Sequence, residues 1–221
     1  MHSLSLSRNY TAHNLLLLLA VTLFTAYHSV AQNCPPGFVS EAKVLTYPYN
    51  GGCCSLRVEY CKRVVVDPIT NLMTEFQLKM GSIEFLDPTG PCWSFDPTQP
   101  PPLDHPAIVN HVRKSILLDL YQTGAVPNCP AFATFVLKET ANTCRELVFS
   151  IPPGSDPTLV SVPCGVSECY RECQICYNNQ IPIGPCDDEA RRLTIQCRPV
   201  PQQPPCTQIP SSCTQVDCFS E

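Results

Sequence analysis

Charged residues are scarce in this 221-residue chain. Lysine, arginine, aspartate and glutamate together make up 15% of it, against roughly 25% in an average soluble domain. Basic residues are not in excess either, since the formal net charge is -5. Proteins that bind nucleic acid usually present a basic face. The composition therefore argues against nucleic acid as a partner.

The residues of common catalytic and metal sites are also few. Only His105 and His111 follow the N-terminal segment, and their spacing does not place them on one face of a helix. No serine lies in a G-x-S-x-G turn, and no glycine-rich phosphate loop occurs. The acidic run Asp187-Asp188-Glu189 lacks the D-x-D-x-D-G spacing of a calcium loop. We therefore predict no enzyme activity, no cofactor and no metal.

Carboxylates on predicted strands leave one catalytic alternative open. Paired carboxylates can hydrolyse glycosides. Strand alternation instead places four glutamates on a polar sheet face together with lysines and arginines, as expected of a solvated surface. They are Glu59, Glu75, Glu84 and Glu146. A secreted hydrolase is thus the weaker alternative.

A long apolar run occurs in one place only, at the N-terminus. Residues 15–26 carry no charge, but about a dozen residues are fewer than the ~20 that span a bilayer. The small residues Ser29-Val30-Ala31 follow, which predicts a signal peptide cleaved before Gln32. We expect residues 1–31 to be removed, and the product to be secreted or held at the cell surface without membrane insertion.

Cysteine, by contrast, is abundant, with sixteen residues that all follow the predicted signal peptide. They are Cys34, Cys53, Cys54, Cys61, Cys92, Cys129, Cys144, Cys164, Cys169, Cys173, Cys176, Cys186, Cys197, Cys206, Cys213 and Cys218. An even number of cysteines in an oxidising compartment predicts eight disulfides. Their connectivity does not follow from the sequence.

The positions of the cysteines constrain the pairing. Seven precede Pro163 and nine follow it, so complete pairing requires a bridge between the two parts. Cys53 and Cys54 are neighbours on a predicted strand, where adjacent side chains point to opposite faces. We predict that they pair with different partners; a vicinal disulfide is the alternative.

Four cysteines have spacings that a zinc site could use: Cys164, Cys169, Cys173 and Cys176. Cys173-Gln174-Ile175-Cys176 also matches a C-x-x-C redox motif. Thiols in an oxidising compartment pair with each other, and the motif lacks the strand and helix that lower a thiol pKa. Structural disulfides are therefore the prediction.

Alternating apolar residues predict several strands. Cys54, Leu56, Val58 and Tyr60 alternate with polar residues in a strand that continues to Val66, and Asp67-Pro68 begins a turn. A second strand alternates from Phe76 to Phe85, and a bulge at Gly81-Ser82 explains its change of parity. These two strands form a predicted hairpin. Later strands are predicted at 132–137, 145–151, 158–162 and 193–197.

One amphipathic helix is predicted from Pro106 to Thr123, with Asp104 as its cap and Gly124 after its end. Its apolar face consists of Ile108, Val109, Val112, Ile116, Leu117 and Leu120. Its polar face consists mainly of Asn110, Arg113, Lys114 and Asp119. The segment 169–177 suits either a helical stripe or a hairpin arm.

Together these patterns predict a disulfide-rich α+β fold. It comprises a mainly antiparallel β-sheet with one packed amphipathic helix in residues 32–163, and a cysteine-dense C-terminal part, residues 164–221, linked to it by disulfides. The 24 prolines, about twice the usual share, indicate a rigid body.

The predicted function is that of an exported structural, adhesive or interaction protein, a class that includes subunits of surface assemblies. Its partner would be a protein or a cell surface, or further copies of itself through strand edges. The alternative is a monomeric secreted binder, such as an inhibitor or effector. Trp93, the sole tryptophan, follows Cys92 and is a candidate contact residue, although a core position suits it as well.

Overall fold

The computed structural model describes residues 34–49, 51–87, 104–140, 144–151, 157–164, 168–198 and 213–216. The predicted signal peptide, residues 1–31, lies outside them, as does Trp93. From Cys34 onward the chain forms one unit.

Nine strands and one α-helix occur within the described residues. The strands are β1 (Val39–Tyr49), β2 (Gly52–Val66), β3 (Met73–Phe85), β4 (Ala133–Thr140), β5 (Cys144–Ser150), β6 (Thr158–Pro163), β7 (Glu168–Tyr177), β8 (Leu193–Cys197) and β9 (Thr214–Gln215). The helix, α1, spans His105–Gln122. The described part of the chain is therefore mostly β-sheet, with one helix packed on it.

All nine strands belong to one sheet that is organised around β3. One edge of β3 pairs with β2, and β1 lies beyond β2. The opposite edge of β3 is shared by two strands, because Glu75–Leu78 pairs with β4 while Ile83–Phe85 pairs with β6. β7 and β8 continue the sheet from β4, and β5 and β9 continue it from β6.

The sheet is mixed, whereas the sequence predicts a mainly antiparallel one. β3 and β4 run parallel, with Glu75 opposite Val136 and Leu78 opposite Glu139. Parallel neighbours need a crossover connection, which is usually a helix. α1 lies between β3 and β4 in the chain and supplies that crossover, so the helix and the parallel pair are one feature.

The predicted hairpin and bulge are confirmed. β2 and β3 pair antiparallel, and the register shifts between Val58, which faces Ile83, and Tyr60, which faces Met80. The extra residue therefore falls at Gly81-Ser82. Because the bulge exchanges the two faces, Met80 and Ile83 are both buried.

Helix α1 covers the buried face of the sheet. Asp104 caps it by accepting a hydrogen bond of 3.2 Å from the Ala107 amide, and Gly124 follows its end with a φ of 81°. The six predicted apolar-face residues are all buried. Arg113 is a correction: it is fully buried rather than on the polar face, because Glu139 of β4 provides a partner.

Three strands were not predicted as such: β1, β7 and the two-residue β9. β1 gives little alternating signal because only Leu45 in it is buried. The segment for which helix and hairpin arm were alternatives is the strand β7, paired with β4 on one side and β8 on the other. β7 and β8 therefore lie in the same sheet as the strands that precede Pro163.

Candidate interaction surfaces

Five disulfides brace the sheet within the described residues. They are Cys34–Cys61, Cys53–Cys186, Cys129–Cys176, Cys164–Cys213 and Cys173–Cys197. Cys54, Cys144 and Cys169 are disulfide-bonded as well, while Cys92, Cys206 and Cys218 lie outside the described residues. This density of bridges indicates an oxidising environment.

Two of these bridges, Cys53–Cys186 and Cys129–Cys176, join residues on either side of Pro163, as the odd number of cysteines in each part requires. Cys53 and Cys54 have different partners. Cys53 is exposed and pairs with Cys186, whereas Cys54 points into the core and is 1% exposed. The alternation of side chains along β2 therefore explains why Cys53 and Cys54 point to opposite faces of the sheet.

The four cysteines weighed as zinc ligands are all disulfide-bonded: Cys164, Cys169, Cys173 and Cys176. The two sulfurs of the C-x-x-C sequence bridge to different strands or loops and not to each other. Among the described residues, no group of three potential ligands lies close enough to hold a metal ion.

The two histidines of the described residues, His105 and His111, both pack against the sheet. His105, at the start of α1, is 6% exposed and its Nε2 lies 2.7 Å from Ser161 Oγ. Burial, together with the positive charge of Arg145, lowers the pKa of His105 to about 4. His111 Nε2 lies 2.8 Å from the carbonyl oxygen of Thr46 in β1. Burial lowers the pKa of His111 as well.

Two arginines are fully buried, Arg113 of α1 and Arg145 of β5, and no sequence pattern predicted their burial. Arg113 donates from Nε to Glu139 Oε1 over 2.9 Å, and its Nη2 lies 2.8 Å from Oε2 without hydrogen-bond alignment. Arg145 donates from Nε to Ser161 Oγ and from Nη2 to the Gly81 carbonyl at the bulge. Burial, reinforced by Arg113, lowers the pKa of Arg145 to about 9.

Two of the four glutamates predicted on strands, Glu59 and Glu75, contact neighbouring side chains of their own strand. Glu59 Oε1 lies 3.2 Å from Arg57 Nη2 in an ion pair, and Glu75 accepts a hydrogen bond from Gln77. In the acidic run, Asp188 lies 3.8 Å from His111, and Glu189 accepts a hydrogen bond from Tyr177. These carboxylates are thus engaged with neighbouring side chains.

An exposed apolar cluster, here named the apolar tip, occupies the turn end of the β2–β3 hairpin. Its four aliphatic residues are Val64, Val66, Ile69 and Leu72, exposed by 45%, 47%, 92% and 67%. Single exposed apolar residues are ordinary on protein surfaces, whereas large apolar patches mark contact sites, and these four residues lie within nine consecutive positions at one hairpin end. The tip is therefore a candidate site for a partner.

Hydrogen bonds within the turn from Asp67 to Leu72 order the outer part of the apolar tip. Asp67 Oδ1 accepts from the amides of Ile69 and Thr70, both at 2.8 Å, and the Asp67 amide donates to the Leu72 carbonyl. The amides of Thr70 and Ile69 lower the pKa of Asp67. Asn71 follows with a φ of 56°, a conformation that asparagine tolerates well.

A second candidate surface lies on β7 and β8. A shallow groove of about 320 Å³ is lined by Glu172, Gln174, Gln196, Cys197 and Arg198. It lies on the sheet face opposite to the buried side chains of Phe135 and Ile175. No sequence pattern predicts this groove, because the register that places β8 beside β7 is not visible in either strand alone.

Comparison with known proteins identifies no relative. No protein-family model, no curated protein and no solved structure matches the chain. Within the described residues, no helix combines the length and apolarity that crossing a membrane requires.

Proposed function

We propose that this protein is an exported extracellular interaction protein, and that the apolar tip of its β2–β3 hairpin binds a protein partner at a cell surface. The single observation that supports this most is the tip itself. Four aliphatic side chains within Val64–Leu72 face solvent at the end of a hairpin that the rest of the sheet holds in place.

A rigid contact surface favours binding. Ordering a flexible loop costs free energy during association, and a loop already fixed in its bound shape avoids that cost. The turn hydrogen bonds of Asp67 order the tip from within. On one side β3 is held by β4, and Cys61 of β2 is bridged to Cys34.

The disulfides support the extracellular part of the proposal. Structural disulfides form and persist outside the reducing cytosol. A body braced by several bridges is also suited to conditions in which unfolding would be irreversible. Export through the N-terminal segment, with cleavage before Gln32, belongs to the same proposal.

A structural role through strand addition, with the protein as a subunit of a surface assembly, has less support. The outer strand β1 contains Pro48, which lacks an amide donor, and His111 lies within hydrogen-bond distance of the Thr46 carbonyl. Proline and covering groups are typical means of protecting a sheet edge from pairing. We therefore favour a protein that binds as a single copy.

We propose no catalytic activity for it. His105 is buried against Ser161 and Arg145, and His111 is held between β1 and Asp188. Neither histidine lies in the groove on β7 and β8. A secreted hydrolase would need another acid–base group.

The experiment that tests this proposal combines solution state with surface binding. The mature, oxidised protein is examined by size exclusion with light scattering and by negative-stain microscopy, and its fluorescent conjugate is titrated onto intact producing cells. A monomer that binds the cell surface saturably is the expected result. Regular polymers would indicate an assembly subunit instead, and a monomer without saturable binding would contradict the proposal.

A further inference from the structure

We infer that the groove on β7 and β8 is a binding site for a neutral carbohydrate. This inference is independent of the apolar tip, since β4 separates the hairpin strand β3 from β7. It rests on four properties of the groove: its polar pairs, its charge balance, a neighbouring tyrosine and its covalent support.

The lining residues form two cross-strand pairs. Gln174 of β7 lies directly opposite Gln196 of β8. One step further along, Arg198 Nη1 lies 2.9 Å from Glu172 Oε2, and the Arg198 amide donates to the Glu172 carbonyl over 3.0 Å. Four planar polar groups thus line one groove of about 320 Å³.

These four groups match the chemistry of a polyhydroxyl ligand. Each sugar hydroxyl is both a hydrogen-bond donor and an acceptor. The carboxylate of Glu172 offers acceptors, the guanidinium of Arg198 offers donors, and each glutamine amide offers both. Two or three adjacent hydroxyls of one sugar ring can therefore be satisfied at once, and such convergent polar groups give a pocket its specificity.

The charge balance of the groove favours a neutral ligand over an ion. Glu172 and Arg198 carry opposite charges that lie within an ion-pair distance, and the other polar lining side chains, Gln174 and Gln196, are uncharged. A phosphate site needs an excess of donors and positive charge, commonly from arginine. The groove has one arginine, and a carboxylate already accompanies it.

Tyr170 adds the apolar part of such a site. Side chains alternate along a strand, so Tyr170, Glu172 and Gln174 of β7 share one face at about 7 Å intervals. The Tyr170 side chain is 67% exposed. Aromatic faces are negative, and the C–H groups on the flat side of a sugar ring are weakly positive. A sugar bound in the groove can therefore place the flat side of a ring against the side chain of Tyr170.

A disulfide fixes the two strands that form the groove. Cys173 and Cys197 lie opposite each other in the register of β7 and β8 and are bonded. Each is adjacent in sequence to a lining residue pair. The spacing between Gln174 and Gln196 is thereby set before a ligand arrives, which lowers the cost of binding.

The test uses the mature oxidised protein and five neutral sugars: cellobiose, maltotriose, chitotriose, lactose and mannotriose. Binding is followed by saturation-transfer NMR and calorimetric titration, with inorganic phosphate and an alternating threonine–valine tetrapeptide as competing classes. We expect saturable binding of at least one sugar with a Kd of about 0.1–10 mM. Tyr170→Ala and Gln174→Ala should each weaken it about tenfold or more, equivalent to about 1.4 kcal/mol.

Gln122→Ala is the matched control, because Gln122 is an exposed glutamine at the end of α1. The helix packs on the sheet face opposite to the groove, so this change should leave sugar binding unchanged. All three positions are exposed, and thermal unfolding verifies that each variant folds. Binding of none of the five sugars at about 10 mM would overturn the inference. So would sugar binding that Tyr170→Ala leaves intact, or binding of phosphate or the tetrapeptide alone, which would identify an anion site or strand addition at β8.

Discussion

Arg113 of α1 and Glu139 of β4 form an ion pair that is almost completely shielded from water, with the Arg113 side chain 0% and the Glu139 side chain 1% exposed. The pair joins the helix to the strand that follows it. It therefore fixes the crossover that makes β3 and β4 parallel.

Removing one charge of this pair should destabilise the protein strongly. Glu139→Gln leaves the Arg113 guanidinium buried without its counter-charge, and we expect the free energy of unfolding to fall by about 3–5 kcal/mol. The double variant Arg113→Met with Glu139→Leu removes both charges and should lose much less. Urea unfolding with the disulfides intact measures both. A loss of under about 1 kcal/mol for Glu139→Gln would show that the pair does not matter.

The disulfide pattern is itself a prediction. Peptide mapping without reduction should recover Cys53–Cys186 and Cys129–Cys176, which join the parts before and after Pro163. Replacing Cys53 and Cys186 together by serine should lower the free energy of unfolding by about 2–4 kcal/mol, because the open chain gains freedom in the unfolded state. A map that pairs Cys53 with Cys54 would contradict the structure.

His105 should make stability depend on pH. Its pKa is about 4 in the folded protein and about 6.5 when unfolded, so the unfolded chain binds the proton more tightly. The free energy of unfolding should therefore fall as pH is lowered from about 6.5 to about 4, by at most about 1.4 kcal/mol per pH unit from this group.

The control for this prediction is His105→Gln, which can still place an amide nitrogen near Ser161 but does not titrate. His111, whose pKa is also lowered, remains in both proteins and cancels in the comparison. The variant should show a shallower slope between pH 4 and pH 6.5 by urea unfolding at each pH. Identical slopes would mean that His105 does not titrate in this range.

The conformation of the apolar tip should depend on the Asp67 side chain. Asp67→Ala removes the acceptor for the Ile69 and Thr70 amides, whereas Asp67→Asn retains an oxygen at that position. We expect faster amide hydrogen exchange at Ile69 and Thr70 in the alanine variant and little change in the asparagine variant. Because the pKa of Asp67 is lowered, the wild-type turn should loosen only when acid protonates that carboxylate. Equal exchange in all three proteins would contradict this account of the turn.

Much of the fold could be predicted from local sequence patterns. The alternation of apolar residues from Cys54 to Tyr60 predicts the strand β2 and its buried face. The change of parity at Gly81 predicts the bulge in β3. The cap Asp104 and the apolar stripe beginning at Ile108 do the same for α1. Each of these signals arises from residues that are neighbours in the chain.

What could not be predicted depends on partners that are distant in the chain. Arg113 looks like a surface residue until β4 brings Glu139 beside it. β1 has weak alternation because one of its edges and much of its surface stay exposed. The groove exists only once Gln174 and Gln196 are in register. The apolar tip could have been noticed, since Ile69 and Leu72 interrupt an otherwise polar turn.

The central claim is that the apolar tip binds a cell-surface partner, and a comparison of two variants tests it most directly. Ile69→Ser with Leu72→Ser removes the most exposed part of the tip. Ile151→Ser changes an aliphatic residue of similar exposure, 65%, at the end of β5.

Both variants are labelled and titrated onto intact producing cells beside the wild-type protein. We expect the tip variant to lose affinity at least about tenfold, since buried apolar anchors contribute most to such contacts, while Ile151→Ser binds as the wild type does. Equal affinity of the tip variant and the wild type would contradict the claim.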